Sequence, residues 1–441
     1  MRTPPVGCHI RLPPARCDEP VQPRPKFAHA PGRFVMTTSQ VGVGTTGEPP
    51  LLPSLTSMRF LIATIIFLFH GTNFVLFASP GVGERYLSLV TMGGWAGMSF
   101  FFILSGFVLT WVARPDNRTG TFLRRRLVRI FPNHLVIFAL TAILMVTVLG
   151  QAFDGPSVVL NVLLLQAWSP ALDVRIGFNA VSWSLSAELL FYLCFPALLL
   201  LVRRIRPERL WAWTIGLLAV IALVVPLAAK LLPRQEVMPF LELSQEQFWI
   251  LFHFPPVRML EFLVGMLLAR IVMTGRRVPL GFGGAAALSV LAYAVGPLFP
   301  PEFRMVAVMV VPMSLLIVTG AVSDLNRTRR TLLSSRPMVY LGHLAYAFYL
   351  VHMQVLVYGT HWLAPGRLFD TPSGIAMLVL LFCVAVAFSW VLYKVVEQPM
   401  MRRFGADRRT PRAVPPTDDT ARPATDEPAA ATTPRTAGVG H

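Results

Sequence analysis

The chain has 441 residues, of which 54% are hydrophobic and only 14% charged, and its mean hydropathy is +0.59. Soluble proteins carry about 25% charged residues, so this composition is typical of a protein with many membrane-spanning helices. The formal net charge of +17 would otherwise suggest a nucleic-acid-binding protein. A chain this apolar is not a soluble nucleic-acid-binding protein. It is predicted to lie in the lipid bilayer, with no nucleic acid as partner.

Two segments without apolar periodicity flank the hydrophobic part of the chain. Residues 1–52 are rich in Pro, Gly and Thr, and residues 405–441 in Pro, Ala, Thr and Asp, so both are predicted to be disordered. The first apolar run, near Met58, is expected to act as an uncleaved anchor. Translation starting at Met36 is an open alternative. The membrane domain is therefore predicted to occupy residues 53–404.

Hydropathy predicts an all-α, polytopic membrane bundle of about ten transmembrane helices. An apolar helix needs roughly 20 residues to cross a bilayer. The predicted spans are, in chain order, 59–78, 88–112, 133–151, 183–202, 210–231, 249–271, 280–298, 304–322, 339–362 and 374–396. The apolar stretch 156–168 is too short to cross and is predicted to be re-entrant or interfacial.

The charges in the connecting loops predict the orientation of these spans. The loops after the second, fourth, sixth and eighth spans contain 17 arginines, whereas the intervening loops contain six basic residues. Because cytoplasmic loops are enriched in Lys and Arg, the arginine-rich loops and both termini are predicted to be cytoplasmic. The Arg-, Ala- and Pro-rich composition is typical of a GC-rich genome, so the expected location is a bacterial cytoplasmic membrane.

Ionisable residues inside predicted spans are costly, so each needs an explanation. His70 follows Arg59 by eleven residues, which places His70 about 16 Å along the first span, near mid-bilayer. Glu188 has a matching depth in the fourth span and shares one helix face with Ser184 and Tyr192, at i, i+4 spacing. A carboxylate at this depth needs a partner. Glu188 is therefore predicted to pair with His70 in a functional site.

Two other spans carry ionisable residues at a similar depth. Arg258 and Glu261 are three residues apart in the sixth span, close enough to form an ion pair on one helix face. A structural role is favoured for this pair, and a contact with substrate stays open. His352 in the ninth span is interpreted as a packing residue. No spacing of ligand residues indicates a metal site.

A basic cluster lies before the third predicted span. The run TFLRRRLVRIFP at 121–132 contains Arg124, Arg125, Arg126 and Arg129. Guanidinium groups bind phosphate in bidentate fashion, and backbone N–H groups at a helix start also favour anions. A phosphorylated ligand such as the nucleotide end of coenzyme A would suit the cluster. Contact with anionic lipids is the equal alternative.

Seven sequence motifs follow one another along the chain. They are MRFLIATIIFLFH at 58–70, FFILSGFVLTW at 101–111, RRRLVRIFP at 124–132, WSLSAELLFY at 183–192, RMLEFLVG at 258–265, YLGHLAYAFYLVH at 340–352 and VEQP at 396–399. In this order they resemble the acyltransferase-3 family of integral membrane O-acyltransferases. Ala345 departs from the family's pattern, which often has Ser there.

The resemblance implies an enzyme that moves an acyl group, expected to be acetyl, from acyl-CoA to a hydroxyl group. The family's essential His falls on His70, and its conserved Arg falls on Arg59. The family's basic cluster falls on Arg124, Arg125 and Arg129, which with Arg59 are expected to bind acyl-CoA. Acyl-CoA is expected as a co-substrate, and no permanently bound cofactor or metal is expected.

The family's Trp-Ser-x-x-x-Glu motif falls on Trp183 and Glu188. Glu188 is expected to orient His70, which acts either as a general base or as a transiently acylated nucleophile. The further residues expected to contact substrate or to have a structural role are Trp183, Tyr192, Arg258, Glu261, Tyr349 and His352.

The resemblance also predicts the kind of acceptor. Members of the family acylate sugars of cell-envelope polysaccharides and lipids, or macrolides and related small molecules, and a glycoside or secondary metabolite is favoured here. Two other classes of function stay open. A proton-coupled transporter of a small polar solute also uses His and Glu at mid-membrane, and a purely structural membrane partner would give His70 no chemical role.

Overall fold

The computed structural model describes residues 49–114, 118–238, 241–326 and 331–405. The two predicted disordered segments fall outside the described residues, except at 49–52 and 405, and the domain boundaries stay predictions. Within the described ranges the chain is mainly helical. Its strands there are β1 (Val237–Met238) and β2 (Leu243–Ser244), which pair antiparallel. The prediction of an all-α membrane bundle is confirmed.

Sixteen α-helices run through the described part of the chain. Their bounds are α1 Pro53–Gly71, α2 Pro80–Trp111, α3 Thr119–Thr147, α4 Gly155–Val162, α5 Leu172–Ile176, α6 Trp183–Arg204, α7 Leu210–Ala219, α8 Val225–Ala229, α9 Gln245–Phe248, α10 Pro255–Met273, α11 Phe282–Val295, α12 Pro301–Arg304, α13 Ala307–Leu325, α14 Arg336–Leu363, α15 Thr371–Leu392 and α16 Gln398–Phe404. Short π-helical segments precede α8, α10 and α16.

Eight helical segments of the described chain are long and apolar enough to cross a bilayer. They are Pro53–Gly71, Pro80–Trp111, Thr119–Thr147, Trp183–Arg204, Pro207–Ala229, Pro301–Leu325, Arg336–Leu363 and Thr371–Phe404. The sixth and seventh predicted spans correspond to α10 and to the shorter apolar helix Phe282–Leu298. Each of the ten predicted spans therefore overlaps an observed helix, and the number of crossings stays a prediction.

Several helices begin earlier than their apolar residues indicate, and for α1 and α3 this changes the position of predicted site residues. α1 begins at Pro53, six residues before the predicted span, and ends at Gly71. α3 begins at Thr119, so the basic cluster lies inside the helix rather than before it. Hydropathy detects only the apolar part of a helix. A helix can continue over a turn of polar or basic residues, which hydropathy does not detect. As a result, His70 lies in the last turn of α1 instead of at its middle.

Hydrogen bonds link several helix ends to neighbouring segments at one end of the bundle. These hydrogen bonds run from Trp111 to Pro50, from Arg203 to Ala113, from Arg270 to Val202, from Ser57 to Leu333 and from Arg125 to Gly405. They bring together the arginine-rich loops and both ends of the described membrane region, as the charge alternation predicts. That this end faces the cytoplasm stays a prediction.

Glycines allow two pairs of helices to approach closely around the site. A methyl group on Gly265 of α10 would run into the carbonyl oxygen of Ile103 in α2. One on Gly342 of α14 would run into the carbonyl oxygen of Thr56 in α1. Small residues of this kind let transmembrane helices pack backbone to backbone. The contact at Gly342 sets α14 alongside α1, so that the last turn of α1 meets the middle of α14.

Candidate active site

A cavity of about 260 Å³ extends into the bundle between α1, α2, α3, α6 and α14. Its lining follows α2 from Val112, at the arginine-rich end, to Met98. This is about 21 Å along the helix axis. Much of the wall is apolar, with side chains such as Phe101, Leu104 and Ile130. A narrow, mostly apolar cavity with a few polar groups is the usual form of a ligand site.

Basic side chains from two helices line this cavity. Arg59 projects from α1, and Arg126 and Arg129 project from α3. Glu188 of α6 lies among them and interacts electrostatically with all three guanidinium groups. Tyr192 lies one turn further along α6 and donates a hydrogen bond from Oη to Glu188 Oε2 at 3.1 Å. Three cations thus face one carboxylate in the lining, which suits an anionic ligand.

The predicted polar face of α6 is confirmed, because Ser184, Glu188 and Tyr192 all line the cavity. The helical period alone was enough to predict this face from the sequence, because residues at i and i+4 share one face of a helix.

Among the three arginines that line the cavity, Arg126 has a buried donor without a partner in the described part of the chain. Its Nε is buried and has no hydrogen-bond partner among the described residues. Its guanidinium lies over the rings of Phe122 and Tyr192, 5.6 and 6.0 Å from their centroids. Arg129, in contrast, interacts with both Glu188 and Glu397. A buried N–H without an acceptor is unfavourable, so Arg126 is the better placed of the two to bind an incoming phosphate.

The structure changes the membership of the predicted basic site. Arg124 and Arg125 do not line the cavity, and Arg125 Nε instead donates to the carbonyl oxygen of Gly405 at 3.0 Å. Anion binding by N–H groups at a helix start is wrong for this cluster, because α3 begins five residues before it, at Thr119. Arg126 belongs to the basic cluster identified in the sequence but was not among the arginines expected to bind acyl-CoA. Its i, i+3 spacing from Arg129 would have indicated a shared face, had the helix been extended over the cluster.

Tyr349 of α14 forms the inner end of the cavity and connects it to a pair of histidines. Its hydroxyl donates to the carbonyl oxygen of Val181 and lies 2.9 Å from Ser184 Oγ. One turn further along α14, the buried His352 places Nδ1 2.7 Å from the carbonyl oxygen of Tyr349. Nε2 of His352 lies 2.9 Å from Nδ1 of His70, and the two ring planes are 26° apart, with 5.2 Å between centroids.

The predicted pairing of His70 with Glu188 is wrong. The hydrogen-bond partner of His70 within the described chain is His352, and Glu188 bonds to Tyr192 among the arginines. The interpretation of His352 as a packing residue is corrected by the same contact. The sequence gives an approximate depth for each residue along its helix. It does not give the direction in which the helix turns that residue, and two residues at one depth can face different neighbours.

His70 and His352 lie behind Tyr349 and outside the cavity lining, and the remaining predicted residues lie outside it as well. Arg258 Nη2 is 2.8 Å from Glu261 Oε2, and both side chains are 1% exposed, so the predicted ion pair is present. Arg258 also donates to Ser99 Oγ at 3.4 Å, which ties α10 to α2. Trp183 packs its ring against that of His253, 4.4 Å between centroids. These contacts give the three predicted residues a place in the helix packing next to the site.

The fold and the site are those of an integral membrane acyltransferase: a helical bundle with a basic cavity and, behind Tyr349 at its inner end, a histidine pair. The chain belongs to the acyltransferase-3 family, because the family profile described as "Acyltransferase domain" matches residues 52–394.

Two curated relatives match over most of their length. The chain is 39% identical over 386 residues to Acyltransferase MdmB of Streptomyces mycarofaciens, which covers 85% of this chain and 96% of the relative. It is 28% identical over 329 residues to the exopolysaccharide production protein ExoZ of Rhizobium meliloti (strain 1021), covering 72% of this chain and 92% of the relative. No solved structure matches the chain.

Proposed function

We propose that this acyltransferase moves an acetyl group from acetyl-CoA to a hydroxyl group of a glycoside or macrolide-type metabolite. One observation carries the proposal. The arginine-lined cavity begins at the arginine-rich end of the bundle and ends at Tyr349, which is hydrogen-bonded to His352 and through it to His70.

The arginines provide the binding site for the donor. Arg59, Arg126 and Arg129 supply guanidinium groups for the phosphates of coenzyme A, in a mostly apolar cavity where charge-assisted hydrogen bonds are strong. Arg59 and His70 are eleven residues apart on α1, about 16 Å along the helix axis. An extended pantetheine arm spans a separation of this kind, so phosphates held at Arg59 allow the thioester to approach His70.

The histidine provides the base. An alcohol is a weak nucleophile at neutral pH, and an imidazole is suited to take its proton as the oxygen attacks the thioester carbonyl carbon. The C–O bond of the new ester forms, the C–S bond breaks, and the proton held by His70 passes to the departing thiolate. The products are the O-acetylated acceptor and free coenzyme A.

A cell-envelope carbohydrate is the second candidate acceptor. The relative ExoZ is named for exopolysaccharide production, and both candidate acceptors present sugar or alcohol hydroxyl groups. Assays with a glycosylated macrolide and with an exopolysaccharide repeat unit in separate arms distinguish the two.

The test is label transfer by the purified protein in lipid nanodiscs, with radiolabelled acetyl-CoA and each acceptor. His70→Asn, which keeps a polar side chain of similar size, should lower kcat by roughly 10²- to 10⁴-fold, because general base catalysis is lost. The matched control is His361→Asn at an exposed histidine of α14, which should retain wild-type activity. Unchanged transfer by His70→Asn would contradict the proposal. Solute uptake without acetyl-CoA would favour the proton-coupled transporter instead.

A further inference from the structure

We infer that His352 is a positioning residue that fixes the tautomer of His70, so that the lone pair of His70 is on Nε2. The inference rests on the proposed function, in which His70 is the base. It follows from the direction of two consecutive hydrogen bonds.

The first hydrogen bond determines the state of His352. Its Nδ1 is 2.7 Å from the carbonyl oxygen of Tyr349, and a carbonyl oxygen can only accept. Nδ1 of His352 therefore carries a proton. The ring packs against those of Phe67 and Phe348, with centroids 6.4 and 6.0 Å away, and is completely buried. An imidazolium would be costly there, and no carboxylate hydrogen-bonds to it within the described chain. His352 is therefore neutral, and its Nε2 carries a lone pair.

The second hydrogen bond then determines the state of His70. Nε2 of His352 is 2.9 Å from Nδ1 of His70, and because Nε2 can only accept, Nδ1 of His70 must donate. A neutral His70 with its proton on Nδ1 has its lone pair on Nε2. No described residue hydrogen-bonds to that atom, so Nε2 is available to a substrate hydroxyl.

The same hydrogen bonds stabilise the protonated base. When Nε2 of His70 takes the hydroxyl proton, the Nδ1–H bond to His352 becomes charge-assisted and stronger. The carbonyl of Tyr349 in turn orients His352. The Nδ1 proton of His70 stays in its hydrogen bond throughout, while the Nε2 proton passes to the thiolate. In the resting site the pair is neutral, which avoids an uncompensated charge at that position.

Three variants of His352 test the inference in the label-transfer assay. His352→Leu removes the acceptor and should lower kcat by roughly 10- to 100-fold, by analogy with the loss of the partner that orients a metal-bound histidine. The KM for acetyl-CoA should stay unchanged, because the arginines are not touched. His352→Gln supplies both an acceptor for His70 and a donor for Tyr349, and should recover most of kcat. His352→Asn is one methylene shorter, cannot bridge both groups, and should resemble the Leu variant.

The outcomes separate this inference from the proposed function. If the wild type transfers label and His70→Asn does not, but His352→Leu keeps wild-type kcat, only the positioning role is overturned. A rise in the KM for acetyl-CoA at constant kcat would also overturn it, by showing a role in binding. If the Leu variant does not fold, the comparison of Gln with Asn decides, and equal kcat values in those two variants contradict the inference. Absence of label transfer by the wild type overturns the proposed function itself.

Discussion

At the scale of single residues, the arginines of the cavity differ in the partners that they already have. Arg129 interacts with two carboxylates, Glu188 and Glu397, whereas the buried Nε of Arg126 has no acceptor among the described residues. An arginine held between carboxylates gains less from a further anion than one whose donors are unused. Arg126 should therefore contribute most to the binding of the acyl donor.

Arg126→Gln is expected to raise the KM for acetyl-CoA by roughly 10- to 100-fold, since a charge-assisted hydrogen bond contributes about 1.5–3 kcal/mol. The kcat at saturating donor should change little, because the histidine pair is intact. The measurement is steady-state kinetics in nanodiscs with acetyl-CoA varied. Arg118→Gln, at the exposed residue before α3, is the matched control and should keep the wild-type KM. Equal KM values for the two variants would contradict the assignment of the cavity to the donor.

At the scale of helices, α2 and α10 form the most extensive contact in the described chain, and α2 is also one wall of the cavity. Gly265 brings the two backbones together, and the buried Arg258–Glu261 pair of α10 bonds to Ser99 of α2. Replacing glycine at such a contact forces the helices apart. The packing of α10 against α2 thereby fixes the position of the α2 residues that line the cavity.

Gly265→Ala is expected to lower the free energy of unfolding by about 1–3 kcal/mol, the usual cost of overpacking. Gly216 of α7 is a matched control, since a methyl group there would meet nothing within 4 Å. Gly216→Ala should be neutral or more stable by up to about 1 kcal/mol, because Ala favours helix. Thermal unfolding in detergent, followed by circular dichroism, measures both. A Gly265→Ala variant as stable as Gly216→Ala would show that the contact is not close.

At the scale of the whole molecule, the arginine-rich loops between helices lie at one end of the bundle. The loops that contain most of the arginines are joined by hydrogen bonds at one end of the bundle, together with both ends of the described membrane region. The loops that follow α1 and α14 meet elsewhere, where the backbones of Phe77 and Phe369 form a bridge. With the predicted orientation and the proposed donor site, the net charge of +17 reflects first the topology and second the binding of the donor.

The orientation is tested by labelling single cysteines in intact cells. In a chain whose four native cysteines are replaced by serine, Arg234→Cys and Arg367→Cys should react with a membrane-impermeant maleimide. Arg204→Cys and Arg277→Cys should react only after the cells are opened. All four positions are exposed, so access to the reagent depends on the side of the membrane. Labelling of Arg204→Cys or Arg277→Cys in intact cells would contradict the predicted cytoplasmic loops.

The sequence by itself determined the class of protein, the order of the helices and the features that repeat along one helix. The ion pair of Arg258 with Glu261 and the polar face at Ser184 and Glu188 are local, because the helical period places such residues together. The charge alternation likewise depends on which loop a residue occupies, and not on packing.

Only the tertiary structure decided which residues meet across helices. His70 and His352 are 282 positions apart, and they meet because the close contact at Gly342 sets the register of α14 against α1. Arg59 of α1 likewise joins the arginines of α3 and Glu188 of α6 across helices. Hydropathy gives the depth of a residue along its helix, whereas rotation about the helix axis is decided by packing against neighbours. That rotation paired His70 with His352 and placed Glu188 among the arginines.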